Sequence, residues 1–169
     1  AIEGMGPPPS MIAERMNQPP EQRLHNWFSD LQKSSGRIVK RYPTLEDAFQ
    51  RMQTENPHLS EEQARHLTIH GSNQNEDGTF SWKFDNYVRN FSPIGIPFDE
   101  LTKFYGNITC PTLLVRGLES WASDPVADGR TQAFNCPVEV VAFANAGHWV
   151  HHDQLDGFVE RMRVFLQSG

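Results

Sequence analysis

Val138-Glu139-Val140-Val141-Ala142-Phe143, then Ala144-Asn145-Ala146-Gly147-His148-Trp149, then a helical pattern to the end, is the stretch that decides the fold. The first six residues are β-branched and aromatic enough to read as a strand. His151, His152 and Asp153 begin the closing helix, with Asp153 favourable against its positive end. Along that helix Leu155, Phe158, Val159, Met162, Phe165 and Leu166 form a broad apolar face suited to covering a sheet. A histidine on the short loop between such a strand and helix has a fixed backbone and a mobile ring. That placement suits His148 to work as a general base.

Upstream, Cys110-Pro111 opens a second strand, Thr112-Leu113-Leu114-Val115, which ends at Arg116-Gly117. Its apolar run is continuous rather than alternating, which predicts burial on both faces and a parallel sheet flanked by helices. Asp128 to Phe134 is a short helical candidate between the two strands, and Asp124-Pro125 reads as a cap before a helix with proline at its first position. Strand, helix, strand, helix is α/β organisation. Two strands do not make a whole sheet, and Ala1-Ile2-Glu3-Gly4-Met5-Gly6-Pro7-Pro8-Pro9 reads as the exit of a further strand whose body lies upstream.

Between these parts, from about Ser10 to Leu101, the pattern is helical. Thr44-Leu45-Glu46-Asp47 and Ser60-Glu61-Glu62-Gln63 each place a hydroxyl three residues before a side chain that can reach back, which marks two helix starts. Leu45, Ala48, Phe49 and Met52 form one apolar stripe, Ala64 and Leu67 a weaker one, and Leu24, Trp27, Phe28 and Leu31 a third. Isolated helices shorter than about 12 to 15 residues are marginal in water, so these must pack on one another or on a larger body. After the turn Asn75-Glu76-Asp77-Gly78, the segment Thr79 to Phe84 alternates with period two and sets Phe80, Trp82 and Phe84 on one side.

Composition excludes several classes of function. The 169 residues are 37% hydrophobic and 21% charged, as in a folded soluble domain, and the net charge of -6 with no basic stripe argues against nucleic acid. No apolar run approaches the ~20 residues of a membrane helix, and no signal-peptide pattern opens the chain, so a cytoplasmic location is expected. Cys110 and Cys136 each precede a proline and read as small buried hydrophobes rather than a disulfide or metal knuckle. His148, His151 and His152 lack the carboxylate pattern of a zinc helix, so neither a metal nor another cofactor is expected. His58, His66 and His70 read as surface residues.

Pro111 to Gly117, followed by Val138 to Val141 and Asn145-Ala146-Gly147-His148-Trp149, resembles the last two strands of the α/β-hydrolase fold. Ile2 to Pro8 is similar to the loop after that fold's sixth strand, and the helical stretch to the cap domain inserted there. The resemblance covers essentially the whole chain but only the latter portion of the family's fold. It implies a partial α/β-hydrolase core with an inserted helical cap: residues 1–9 as the loop after strand six, 10–101 as the cap, and 102–169 as the C-terminal part of the core.

The resemblance also implies a nucleophile, acid and histidine in that chain order. His148 matches the histidine. No Gly-x-Ser-x-Gly sequence occurs in the chain, so the nucleophile is expected upstream, on an N-terminal hydrolase half in the same or a separate chain. Where family members commonly carry an aspartate after the penultimate strand, this chain has Ser120 and Trp121, with Glu119 beside them. Glu3 matches the acid's alternative place after strand six, and Glu119, Asp124 and Asp128 stay open as candidates. The implied chemistry is hydrolysis of an ester, thioester or similar carbonyl substrate through a covalent intermediate, or epoxide or haloalkane hydrolysis if the nucleophile is aspartate. The competing class is a non-enzymatic hydrolase-fold protein that binds a ligand. Trp27, Phe28, Phe49 and Trp82 suggest an apolar pocket roof and hence a small apolar or amphipathic substrate. An incomplete sheet also predicts self-association of the isolated chain.

Overall fold

The structure is a computed structural model and describes residues 1–36, 38–90 and 92–167. In chain order its elements are α1 (Pro9–Asn17), α2 (Pro20–Ser35), α3 (Leu45–Glu55), α4 (Glu61–Gly71), β1 (Ser72–Gln74), β2 (Phe80–Trp82), α5 (Phe98–Gly106), β3 (Thr112–Gly117), β4 (Val138–Phe143), α6 (Val150–Asp153) and α7 (Leu155–Gln167). They fall into two compact units. One joins residues 1–18 to 94–169, and the other is Pro19–Pro93, so α1 and α5 belong with the strands of the first unit.

The first unit is built on β3 and β4, which pair in parallel from Thr112 opposite Val138 to Gly117 opposite Phe143. Leu113, Leu114 and Val115 are all buried, as a strand covered on both faces requires. Ala1 to Glu3 runs along the other side of β3: Val115 N–H donates to Ala1 O at 2.8 Å and Glu3 N–H to Val115 O at 2.9 Å, a parallel bridge centred on Ile2. The carboxyl ends of all three segments therefore open on one edge. Leu113, Val115, Ala146 and Val150 form a core on which Val141, Phe143, Phe158, Met162 and Phe165 pack. Leu155 and Leu166 lie outside it, both more than half exposed, so the working face of α7 is narrower than the sequence pattern suggests.

Three local expectations change. The closing helix is not continuous from His151, because Gln154 at φ -133° and ψ 52° separates α6 from α7. Asp128 to Phe134 forms only a 3-10 turn over Arg130–Ala133, and no helix follows Asp124-Pro125. Asp124 instead accepts from Val126 N–H at 2.8 Å and pairs with Arg116 at 3.0 Å. Cys110 is exposed rather than buried, and Cys136 is half-buried.

In the second unit both capping boxes form as the sequence predicts, Thr44 with Asp47 and Ser60 with Gln63. Helices α3 and α4 pack on each other, Ala48 and Phe49 being the buried residues of the first and Ala64 and Thr68 those of the second, and the Arg65 guanidinium lies 4.0 Å over the Phe49 ring. Phe49 is thus buried in the core of its own unit. The β1–β2 hairpin pairs Ser72 with Trp82, and Tyr42 bridges to Phe80 while its ring meets Trp82 edge-on at 6.0 Å. Ser81, on the opposite face from the aromatics, is the buried residue of β2, and Phe84 is 48% exposed.

Candidate functional site

The site lies where Glu3, Gly117 and His148 leave the carboxyl ends of three adjacent parallel segments. Glu3 has φ 49° and Asn145 has φ 53°, the two non-glycine residues of positive φ among the described residues, one at each flank of the site. A left-handed backbone costs an ordinary L-residue about 1–2 kcal/mol and persists only where other contacts outweigh it. At Glu3 those contacts are its N–H bond to Val115 O and the bonds made by its side chain.

The Glu3 side chain is 2% exposed. Its Oε1 accepts the Gly117 N–H at 2.7 Å, its Oε2 accepts the Ser120 hydroxyl at 2.7 Å, and Oε2 also faces His148 Nδ1 at 3.2 Å. A carboxylate only accepts, so this contact assigns the Nδ1 proton to the ring and leaves Nε2 as the basic nitrogen. The imidazole is 39% exposed. The Trp121 indole lies against it, ring centroids 4.9 Å apart.

The His148 loop is held by its own neighbours. Asp153 Oδ2 accepts the Gly147 N–H at 2.8 Å, Gln154 Nε2 donates to Asn145 O at 3.1 Å, and Glu119 N–H donates to Ala146 O at 3.0 Å. Asp153, read from the sequence as a helix-dipole residue, is therefore a latch on the loop.

The loop that carries Glu3 is fastened from the other side. Arg130, 2% exposed, donates to Met5 O at 3.3 Å, Gly6 O at 3.2 Å and Ser123 O at 3.0 Å, and pairs with Asp128 at 2.9 Å. Tyr105 donates its hydroxyl to Met5 O at 2.7 Å and stacks on Phe134. Burial pushes the Tyr105 phenol up, which keeps it a donor. At Asp128 burial works against ionisation, but hydrogen bonds from Arg130 and Ser123 outweigh it and hold the carboxyl below its ordinary value.

Of the four carboxylates the sequence left open, Glu3 is the one the structure sets against His148. Asp124 and Asp128 are engaged by Arg116 and Arg130, and the Glu119 side chain is exposed. Arg130, Asp153 and Ser120 were not anticipated as site residues. The burial of Arg130 has no local signature, and nothing local marks Ser120 as the donor to a carboxylate 117 positions away. Among the described residues no group of three or more His, Cys, Asp or Glu side chains could hold a metal ion, and no helix is long and apolar enough to cross a membrane.

No protein-family model matches the sequence, and no curated protein sequence matches it. Solved structures do. An esterase of M. tuberculosis superposes with a TM-score of 0.68 at 20% identity, over 94% of this chain and 51% of the esterase. The thioesterase domain from the curacin biosynthetic pathway gives 0.68 at 20% identity, over 82% of this chain and 50% of that domain. The peroxisomal alpha-beta-hydrolase Lpx1 of Saccharomyces cerevisiae gives 0.62 at 12% identity, over 83% of this chain and 39% of that protein. The chain thus spans about half the length of the first two and less of the third. What it shares with them is fold: part of an α/β-hydrolase core, two parallel strands with their flanking helices, interrupted in sequence by an inserted helical unit.

Proposed function

We propose that Glu3 and His148 are the acid and base of a hydrolase that works through a covalent intermediate on an ester or similar carbonyl substrate. The observation that carries this reading is the 3.2 Å contact between His148 Nδ1 and a carboxylate that is 2% exposed and held by two further donors. In this reading His148 Nε2 takes the proton of a nucleophile as it attacks the carbonyl carbon, then returns it to the leaving group. Glu3 fixes the tautomer and stabilises the imidazolium while the proton is held. Water then repeats the cycle on the covalent intermediate, with the same nitrogen as base.

In this reading the nucleophile lies on an N-terminal hydrolase half, in the same or a separate chain. The reading therefore concerns the polypeptide or complex that contains this chain together with that half. Support for it comes from the fold, from the shared carboxyl-end edge of the three parallel segments, and from the buried pairing of acid and base. The helical unit is assigned the role of cap over a small apolar or amphipathic substrate.

The test is turnover of a p-nitrophenyl ester by that complete protein. His148→Ala is expected to lower kcat by about 10³-fold or more, and Glu3→Gln by about 10²- to 10⁴-fold with KM little changed. A rapid burst of p-nitrophenol equal to the enzyme concentration would support an acyl-enzyme. Full turnover in His148→Ala would sink the reading. Loss of turnover on Glu119→Gln but not on Glu3→Gln would move the acid to the other loop.

A further inference from the structure

We infer that Ser120 is a positioning residue that turns the Glu3 carboxylate toward His148; this deepens the acid–base reading and rests on it. A glutamate side chain has three torsions, and the last, which sets the plane of the carboxylate, is broad and weakly restrained. The Gly117 N–H fixes Oε1 at 2.7 Å but leaves the group free to pivot about that oxygen. It is the second oxygen, Oε2, that faces Nδ1. Ser120 Oγ donates to that same oxygen at 2.7 Å, so it closes the one rotation that would carry Oε2 away from the ring.

The hydroxyl is itself directed. Ser120 Oγ accepts the Ala122 N–H at 3.1 Å, and a hydroxyl has one proton to give. With Ala122 donating to it, that proton points to Glu3. Ser120 N–H donates to Gly117 O at 3.3 Å, so the residue is tied to the end of β3, the strand end that also supplies the first donor to Glu3. Gly117 and Ser120 thus hold the two carboxylate oxygens from one turn. A serine that served only the turn would need its bond from Ala122 and nothing at Glu3.

The experiment uses the complete protein carrying this chain, with Ser120→Ala, Ser120→Thr and Ser120→Cys variants and two readouts. In ester turnover, Ser120→Ala is expected to lower kcat about 10- to 100-fold at unchanged KM, the worth of a hydrogen bond to an ionised group. Ser120→Thr keeps the hydroxyl and restores most of it, and Ser120→Cys, a weak donor, falls between. The second readout is the nitrogen spectrum of ¹⁵N-histidine-labelled protein, with His148 assigned by its loss in His148→Gln. The parent shows the proton on Nδ1, and Ser120→Ala shows a mixture of tautomers.

An unchanged kcat and an unchanged tautomer in Ser120→Ala overturn the inference while leaving Glu3 and His148 in place. If His148→Ala keeps full turnover, the hydrolase reading fails, and the tautomer alone then judges Ser120. If Ser120→Ala does not fold, Ser120→Cys decides: parental kcat and tautomer in that variant overturn the role.

Discussion

Gly117 leaves no room for a side chain against Ala146: a Cβ built on it would collide with the carbonyl oxygens of both Ala146 and Gly147. The end of β3 and the His148 loop are therefore packed backbone to backbone, and backbone cannot swing aside as a flexible side chain can. The same Gly117 gives its N–H to Glu3. Gly117→Ala is expected to destabilise the first unit by at least the roughly 1–3 kcal/mol of an overpacked core and to lower turnover in parallel. Denaturant unfolding and ester turnover measured on one preparation check this. A wild-type midpoint would show that the two segments part more easily than their geometry implies.

Arg130 is the next test, because a guanidinium 2% exposed holds three carbonyls and a carboxylate at once. Removing it leaves Asp128 charged and short of its main partner. Arg130→Met is expected to cost about 3–5 kcal/mol, as when one partner of a buried ion pair is lost. Arg130→Met with Asp128→Leu removes both charges and should recover part of that loss. Additive losses in the double variant would mean that Arg130 acts through the Met5 and Gly6 carbonyls rather than through the ion pair.

Acid should weaken the fold in two steps. His152 is held below the ordinary histidine value of 6.5 by burial and then by the neighbouring His151, so the unfolded chain takes up this proton first. Its contribution is complete above that value and is lost as pH falls through it toward the folded value. Asp128 is likewise held below its ordinary value of 3.8, with bonds from Arg130 and Ser123 overcoming its burial. Its contribution is present above 3.8 and lost as pH drops through the lower folded value. Urea unfolding between pH 8 and pH 3 checks both. His152→Gln should reduce the loss that begins near 6.5, and Asp128→Asn should reduce without abolishing the loss below 3.8, to which Asp77, also held below its ordinary value, contributes; an unchanged profile in both variants would contradict the assignment.

Elements set by local chemistry were legible in the sequence. The capping boxes at Thr44 and Ser60 need only residues three apart, and the buried strand Thr112 to Val115 declares itself by a continuous apolar run. The place of His148 on the loop after β4 was legible because strand, loop and helix around it are consecutive. What escaped depends on contacts across the chain: Glu3 and His148 are 145 positions apart, and Arg130 reaches carbonyls some 125 positions away. No periodicity records such pairings, so the sequence by itself leaves both Glu3 and Glu119 open as partners of the ring. The break at Gln154 escaped for a related reason. The apolar pattern of α7 continues through it, whereas Asp153 turns back to Gly147.

In the second unit the caps offer a measurement separate from the active-site reading. The Thr44 side chain accepts the Asp47 N–H at 3.1 Å, and the Ser60 side chain accepts the Gln63 N–H at 3.2 Å. Each replaces an orphan partner at a helix start, so Thr44→Ala and Ser60→Ala should each cost about 1 kcal/mol. Hydrogen exchange should show the loss at α3 and α4 with β3 and β4 unaffected. Equal loss of protection in both units would mean that they unfold together.

The last prediction concerns the outer side of Ala1 to Glu3. In a parallel bridge centred on Ile2, the bonds to β3 are made by Ala1 O and Glu3 N–H, so the N–H and C=O of Ile2 itself point away from the sheet. Among the described residues no strand takes them up, and the Ile2 side chain is 39% exposed beside them. An unpaired edge next to apolar surface is a template for another strand. The 169-residue chain by itself is therefore expected to self-associate in the micromolar range, in a manner that Ile2→Pro weakens by removing the free N–H. Sedimentation velocity decides. A monomer at all concentrations would show that the edge is protected, and association undiminished in Ile2→Pro would place the contact on another surface.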